Sequence, residues 1–526
     1  MKFQISNFKS QISNKGIIVL ILLVAAFLRL YKIQDYMTFL GDEGRDVLVA
    51  YNILHGHLTL LGPTSSVGGF FLGPIYYYFM APFLLLFNYN PVGPAVMVAF
   101  FGIATVWLIY QFCSELFNKK IGIIAAALYA VSPLVIAYSR SSWNPNPLPF
   151  FALLALYVVY KASQKNSARL FFLVGILLGI AMQLHYLTLF LGAVIFAYVI
   201  LAQVIDNTRK WTKVFLTSFK QNLLILFGFL VGWSPLLAFE FRHNFIDFKN
   251  ISNFVLHSGN TGAGPNFLYT IYDVFFRLFG RLVFYFPAKD QLKLYSSGLL
   301  DLWSGCIILI AVLSVFLILR NFYKSLKLNK KDSKKYLLIF LWFAFGVLLF
   351  GFYKKPIYDY YFAFMFPLPF ILVGGFIYRI SEFKNFGKII AGLILFFVIV
   401  LNLWGVPFKY PANRQLNQME TISRFVNSKV EGKPFNFALI TGGNSDHAYR
   451  YFFTIWGNPP VTIENNQNDP TRKTVTNQLF VVCESLPCSP QGNSLWEIAG
   501  FGQADIAGKW DVSVVQIYKL IHHKGE

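Results

Sequence analysis

Residues 73–88 read GPIYYYFMAPFLLLFN. A helix that crosses a bilayer needs about 20 mostly apolar residues, because hydrocarbon offers no partner to backbone N–H and C=O groups. This stretch has only 16, opening with Gly73 and Pro74 and continuing through Tyr76, Tyr77 and Tyr78. Such aromatic residues settle at membrane interfaces. The expectation is therefore an interfacial or re-entrant helix inside a first outer loop, 34–91, and that choice fixes the side on which every later loop falls.

Outward from it, about eleven apolar stretches have the length of membrane spans: 16–33, 92–115, 121–138, 148–163, 169–186, 187–205, 221–240, 297–319, 336–352, 358–378 and 387–404. The first reads as an uncleaved helix, since it has no small-residue cleavage site and Leu28-Arg29-Leu30 runs directly into the loop. With the N-terminus inside, the inner segments 1–15, 116–121, 161–169, 206–220, 320–335 and 379–388 hold 22 Lys and Arg, against 11 in the longer outer loops. That is the positive-inside bias. It holds only if 73–88 does not cross.

Composition agrees. The 526 residues are 56% hydrophobic and 13% charged, against about 45–50% and about 25% in soluble domains, and mean hydropathy is +0.53. A soluble enzyme and a disordered chain are both excluded. The net charge of +21 reflects where the loops sit and calls for no nucleic acid. Past residue 404 the sequence turns polar, with short apolar runs at 435–443, 478–484 and 511–520 between helix-like segments 413–428 and 445–456. The expected architecture is an all-α polytopic membrane domain, 1–404, followed by a small extracytoplasmic α/β domain, 405–526. Cys483 and Cys488 fall in that domain, where an oxidising exterior permits a disulfide; two free thiols fit the sequence equally well.

Acidic residues are scarce, so their placement carries information. Asp42, Glu43 and Asp46 cluster with Arg45 just after the first span, at the start of the amphipathic segment 46–58. Helix capping explains such a cluster. So does a general base in a membrane-facing cleft, since a partly desolvated carboxylate beside a cation can take a proton; Asp42 and Glu43 could also bind a divalent metal. The second outer loop carries Arg140, Trp143, Asn144 and Asn146, whose Asn-Pro steps suit a turn and whose side chains suit a sugar or phosphate. Lys354 and Lys355 stand on the outer side against the charge bias, so a lipid headgroup or a substrate phosphate must account for them. His185, Tyr358 and the cluster Glu240, Arg242 and His243 lie at outer span boundaries.

Taken in order, Asp42-Glu43-x-Arg45, an amphipathic helix, the Gly-Pro-led interfacial helix, the Arg140 to Asn146 loop and Lys355-Pro356-x-Tyr358 resemble the GT-C membrane glycosyltransferases, in particular the bacterial lipid A aminoarabinose transferases and the protein O-mannosyltransferases. The likeness covers roughly residues 1–380. It implies a polyprenyl-phosphate-linked sugar as donor, a lipid, glycan or protein of the cell envelope as acceptor, and inverting transfer at the outer face of the plasma or inner membrane. Asp42 would then be the base, with Glu43 and Arg45 shaping its site. Arg140, Lys354 and Lys355 would neutralise the leaving phosphate, and His185 and Tyr358 would line the pocket. The resemblance implies no certain cofactor and leaves a divalent metal on Asp42 and Glu43 open. Two departures stand out: Asn144 and Asn146 occupy a loop where many relatives carry an aspartate, which weakens a metal bridging two loops, and Phe71-Leu72-Gly73 lacks the basic residue of the lipid A enzymes. A flippase for polyisoprenoid lipids would place charges in mid-span, whereas here they sit at span ends. A ligase drawing a whole glycan from a polyprenyl diphosphate is the other alternative.

Overall fold

The computed structural model describes residues 2–207 and 210–523. Thr208, Arg209 and the last three residues of the expected 405–526 domain lie outside this set, as does Met1. Helix α1 (Lys2–Leu30) leads through α2 (Ile33–Tyr36) to α3 (Gly41–Leu54) and α4 (Ile75–Leu86). At about 1.5 Å per residue α4 is about 18 Å long, too short for a hydrocarbon core of about 30 Å. Its length is that of the interfacial helix expected from the sequence.

The bundle continues with α5 (Val92–Leu116), α6 (Lys119–Val131), α7 (Pro133–Tyr138), α8 (Leu148–Lys165), α9 (Ala168–Leu184), α10 (Thr188–Asp206), α11 (Trp211–Gly232) and α12 (Ser234–Arg242). After α13 (Ile246–Leu256) and α14 (Phe267–Gly280) come α15 (Ser297–Leu328), α16 (Lys330–Leu348), a 3-10 segment Asp359–Met365, α17 (Pro367–Ser381) and α18 (Lys384–Trp404). Every stretch expected to span is helical, but among the described residues only six helices are long and apolar enough to cross, or seven if the 3-10 segment and α17, bent by 62°, count as one. The count of eleven is thus not reached on length and composition. The shortfall has local causes. Pro133 forces Ser132 into extended backbone (φ −65°, ψ 118°) and splits 121–138 into α6 and α7, and α9 has only 17 residues. Where α9 meets α11, Gly175 and Gly179 face Gly228 and Gly232; a Cβ on Gly175 would lie 2.0 Å from the Ile225 carbonyl oxygen. Such spacing brings backbones into direct contact, which drives helix association where lipid removes the hydrophobic incentive.

Beyond α18, helix α19 (Gln415–Val430) and α20 (His447–Ile455) accompany a four-stranded sheet of order β1-β2-β4-β3: β1 (Asn436–Ile440), β2 (Gln478–Cys483), β3 (Ala504–Val512) and β4 (Val515–His522), with the short α21 (Trp496–Ala499) before β3. β1 and β2 run parallel, joined by a crossover through α20; the other pairs are antiparallel. The expected run at 511–520 proves to be the tip and return of the β3–β4 hairpin, and Cys483 is bonded to Cys488. This domain is seated on the first loop. Gly44 of α3 touches α20 so closely that a Cβ there would meet the Ala448 nitrogen at 2.2 Å, and Phe39 packs edge-on against Tyr451 and Phe452.

Candidate active site

The three carboxylates at the start of α3 part company. Leu40 is extended, and its N–H donates to Glu43 Oε2 at 3.0 Å, closing the helix N-terminus. Glu43 is buried, and burial raises its pKa from 4.5 to about 7. Asp46 is fully buried and accepts from Arg45 at 2.9 and 2.7 Å through one oxygen; burial raises it to about 6, even with that guanidinium beside it. Asp42 is different. Its side chain is 59% exposed, held by Arg45 Nη1 at 2.9 Å.

Asp42 stands on a cleft of about 640 Å³. Tyr138, Trp143 and Asn146 line its far side, and Asn444 and Ser445 of the C-terminal domain close it. Asn444 is a clamp. Its Oδ1 accepts the Gly41 N–H at 2.8 Å, while its Nδ2 donates to Glu484 at 3.1 and 3.2 Å. Glu484 in turn accepts from the hydroxyls of Tyr449 (2.7 Å) and Thr441 (2.8 Å). His447 lies 2.7 Å from Ser445 Oγ, with burial lowering its pKa. Sequence reasoning missed Asn444, Ser445 and Glu484; nothing local marks them, since their partners lie some 400 residues upstream or across the sheet.

The second outer loop divides likewise. Trp143 reaches the cleft and crosses Tyr360 at 4.4 Å between ring centres. Arg140 does not face it. Buried, it donates to the Leu28 and Tyr31 carbonyls at 2.9 and 2.7 Å and lies over Phe408, so its charge holds the end of α1 where a phosphate contact was expected. Burial draws its pKa down to about 10. Asn144 Nδ2 donates to the Leu184 carbonyl at 2.7 Å and secures the end of α9. Both serve as struts that fix the loop presenting Trp143.

His185 is buried, accepts the Leu187 N–H at 3.2 Å and packs among Tyr186, Tyr360 and Tyr361. Tyr358 is 56% exposed and stacks on Tyr360. This aromatic cluster adjoins the cleft through Trp143. Lys354 and Lys355 are exposed and line a separate recess of about 300 Å³ against α14. A knot missed from sequence anchors the segment that follows them: Asp359 receives Arg277 at 2.6 Å and Arg281 at 3.1 Å. Their spacing of four, Arg277 in the last turn of α14 and Arg281 just past its end, was a legible sign of one helix face. Glu240, flagged as a boundary cluster, accepts the N–H groups of Asp247 and Phe248 and caps α13. Among the described residues no three of His, Cys, Asp or Glu gather where a metal could sit; the two expected ligands both line the cleft, Asp42 exposed and Glu43 buried.

Residues 72–236 match the family model for dolichyl-phosphate-mannose-protein mannosyltransferase. The whole fold is similar to ArnT from Cupriavidus metallidurans, whose structure was solved bound to undecaprenyl phosphate, with a TM-score of 0.59 and 12% identity over 96% of this chain and 98% of that one. It is also similar to the oligosaccharyltransferase AglB from Archaeoglobus fulgidus, solved with an inhibitory peptide and a dolichol-phosphate, with a TM-score of 0.54 and 14% identity over 90% of this chain and 69% of that one. No curated protein matches the chain in sequence. The resemblance carried by the order of the motifs is therefore borne out: the chain is a membrane protein with the GT-C glycosyltransferase fold, and its 72–236 segment matches the mannosyltransferase family.

Proposed function

We propose that the protein transfers a sugar from a polyprenyl-phosphate donor to a hydroxyl on an envelope lipid, glycan or protein, with inversion, at the extracytoplasmic face of the plasma or inner membrane. The observation that carries this is the sorting of the acidic cluster. Glu43 and Asp46 are buried and hydrogen-bonded at the start of α3, and of the three carboxylates Asp42 is the exposed one on the cleft that Glu43 also lines, with Arg45 holding its orientation. In this reaction the acceptor oxygen attacks the anomeric carbon as its proton passes to the Asp42 carboxylate. The bond from that carbon to the phosphate oxygen breaks on the opposite face, and its electron pair leaves with the polyprenyl phosphate. Lys354 and Lys355, exposed on their own recess against α14, are assigned to meet the growing charge, a stabilisation aimed at the transition state; Arg140 is withdrawn from that role. Trp143 and the tyrosines around His185 offer flat faces to a sugar ring. No step is routed through a metal.

The test is to incubate the purified full chain in nanodiscs with a synthetic polyprenyl-phosphate sugar and envelope extract, following release of free polyprenyl phosphate and the anomeric configuration of the product. Release coupled to an inverted glycoside is expected. Movement of the intact donor between leaflets without cleavage would sink the proposal, as would a strict need for a diphosphate donor.

A further inference from the structure

At the end of the bundle away from Asp42 lies a second recess, of about 290 Å³, between α15, α16 and α17. It is lined by the apolar Ile121, Leu317, Leu372 and Phe376 and by four cations, Arg320, Lys324, Lys335 and Arg379, against one carboxylate, Glu382. That it is the opposite end follows from connectivity: α17 starts beside the Tyr360 cluster and carries Arg379 in its last turn, and α5 starts just after the first loop and ends next to Phe117 of this recess.

The charges are not mutually satisfied. Arg379 pairs with Glu382, and Lys335 with Asp332 at 3.0 Å. Arg320 and Lys324, one turn apart on α15, have no ion pair or hydrogen bond among the described residues. Like charges at this spacing weaken a helix, so an anion between them relieves a standing repulsion. On α15 the recess is lined by Leu317 and Ile318, and the most apolar window of this helix is only 17% buried, with Leu309, Val312 and Phe316 exposed. An acyl chain can run along that exposed flank while its phosphate sits among the cations. A free phosphate would leave the flank unused.

We propose that this recess binds the headgroup of an anionic glycerophospholipid from the leaflet at this end of the spans, with an acyl chain lying along α15. Basic pockets between spanning helices recognise such headgroups, each cation near the surface contributing about fivefold to affinity. The site is independent of sugar-transfer chemistry.

The full chain, in zwitterionic nanodiscs, is titrated with phosphatidylglycerol, phosphatidylcholine or inorganic phosphate and read by native mass spectrometry and by the unfolding temperature. Phosphatidylglycerol is expected to be retained and to raise the unfolding temperature, with the other two ineffective. Arg320→Ala with Lys324→Ala should weaken retention about 25-fold, and Arg320→Lys with Lys324→Arg should keep it. As a check that needs no variant, a photoactivatable phosphatidylglycerol should label peptides containing residues 309–324. Equal binding of the two phospholipids, the same effect from inorganic phosphate, or labelling spread evenly over the spans would overturn the proposal.

Discussion

Asp42, Glu43 and Asp46 show how much three like residues can differ. In sequence they were one cluster: Asp46 is three residues from Glu43 and four from Asp42, so helical spacing sets it near both. Packing against Tyr77 and α20, invisible in the sequence, separates buried from exposed. Glu43 titrates in the folded chain at about 7 against 4.5 unfolded; its contribution to stability is therefore full below about pH 4.5 and lost as pH rises through about 7. Glu43→Gln should flatten that fall, checked by thermal unfolding of both proteins across this range. Asp46→Asn strips the buried partner from Arg45 and should cost about 3 kcal/mol, read as a lower denaturation midpoint. Arg140 is the contrary lesson. A buried arginine giving its protons to carbonyls and one meeting a phosphate look identical in sequence, because the partners are backbone atoms more than 100 residues away.

Among elements, the helices of the bundle and the short α4 were legible from their apolar runs, but hydrophobic length alone overcounted the spans, because Pro133 splits one stretch and α9 has only 17 residues. The β3 strand was not legible. Its residues alternate weakly and most are exposed, so it carries no apolar run; only pairing with β4 makes it a strand. The seat of the C-terminal domain on α3 was hidden too, since glycine at 44 has no sequence pattern to announce a helix crossing. Gly44→Val puts a side chain into the backbone of Ala448, which cannot yield. We expect a loss of about 1–3 kcal/mol, seen as faster proteolytic release of the segment after Trp404. Asn444→Ala leaves the Gly41 N–H and Glu484 without their link and should lower turnover while the chain still inserts, measured in the donor-cleavage assay.

At the scale of the whole molecule, a low charge content left few places for chemistry, and of the expected site charges Asp42, Lys354 and Lys355 are exposed and Arg45 is half-buried. Orientation rests on the basic bias. In a Cys306→Ser background, which removes the exposed thiol, His57→Cys on the exposed end of the first loop should react with an impermeant thiol reagent on intact cells; reaction only after lysis would invert the topology. The central claim is that Asp42 is the base for transfer from a polyprenyl-phosphate sugar. The most direct measurement compares donor cleavage by the wild-type chain and by Asp42→Asn, both purified and matched for folding. The account predicts a fall of about 10²–10⁴-fold in turnover with donor binding retained; an Asp42→Asn protein that transfers sugar at the wild-type rate would contradict it.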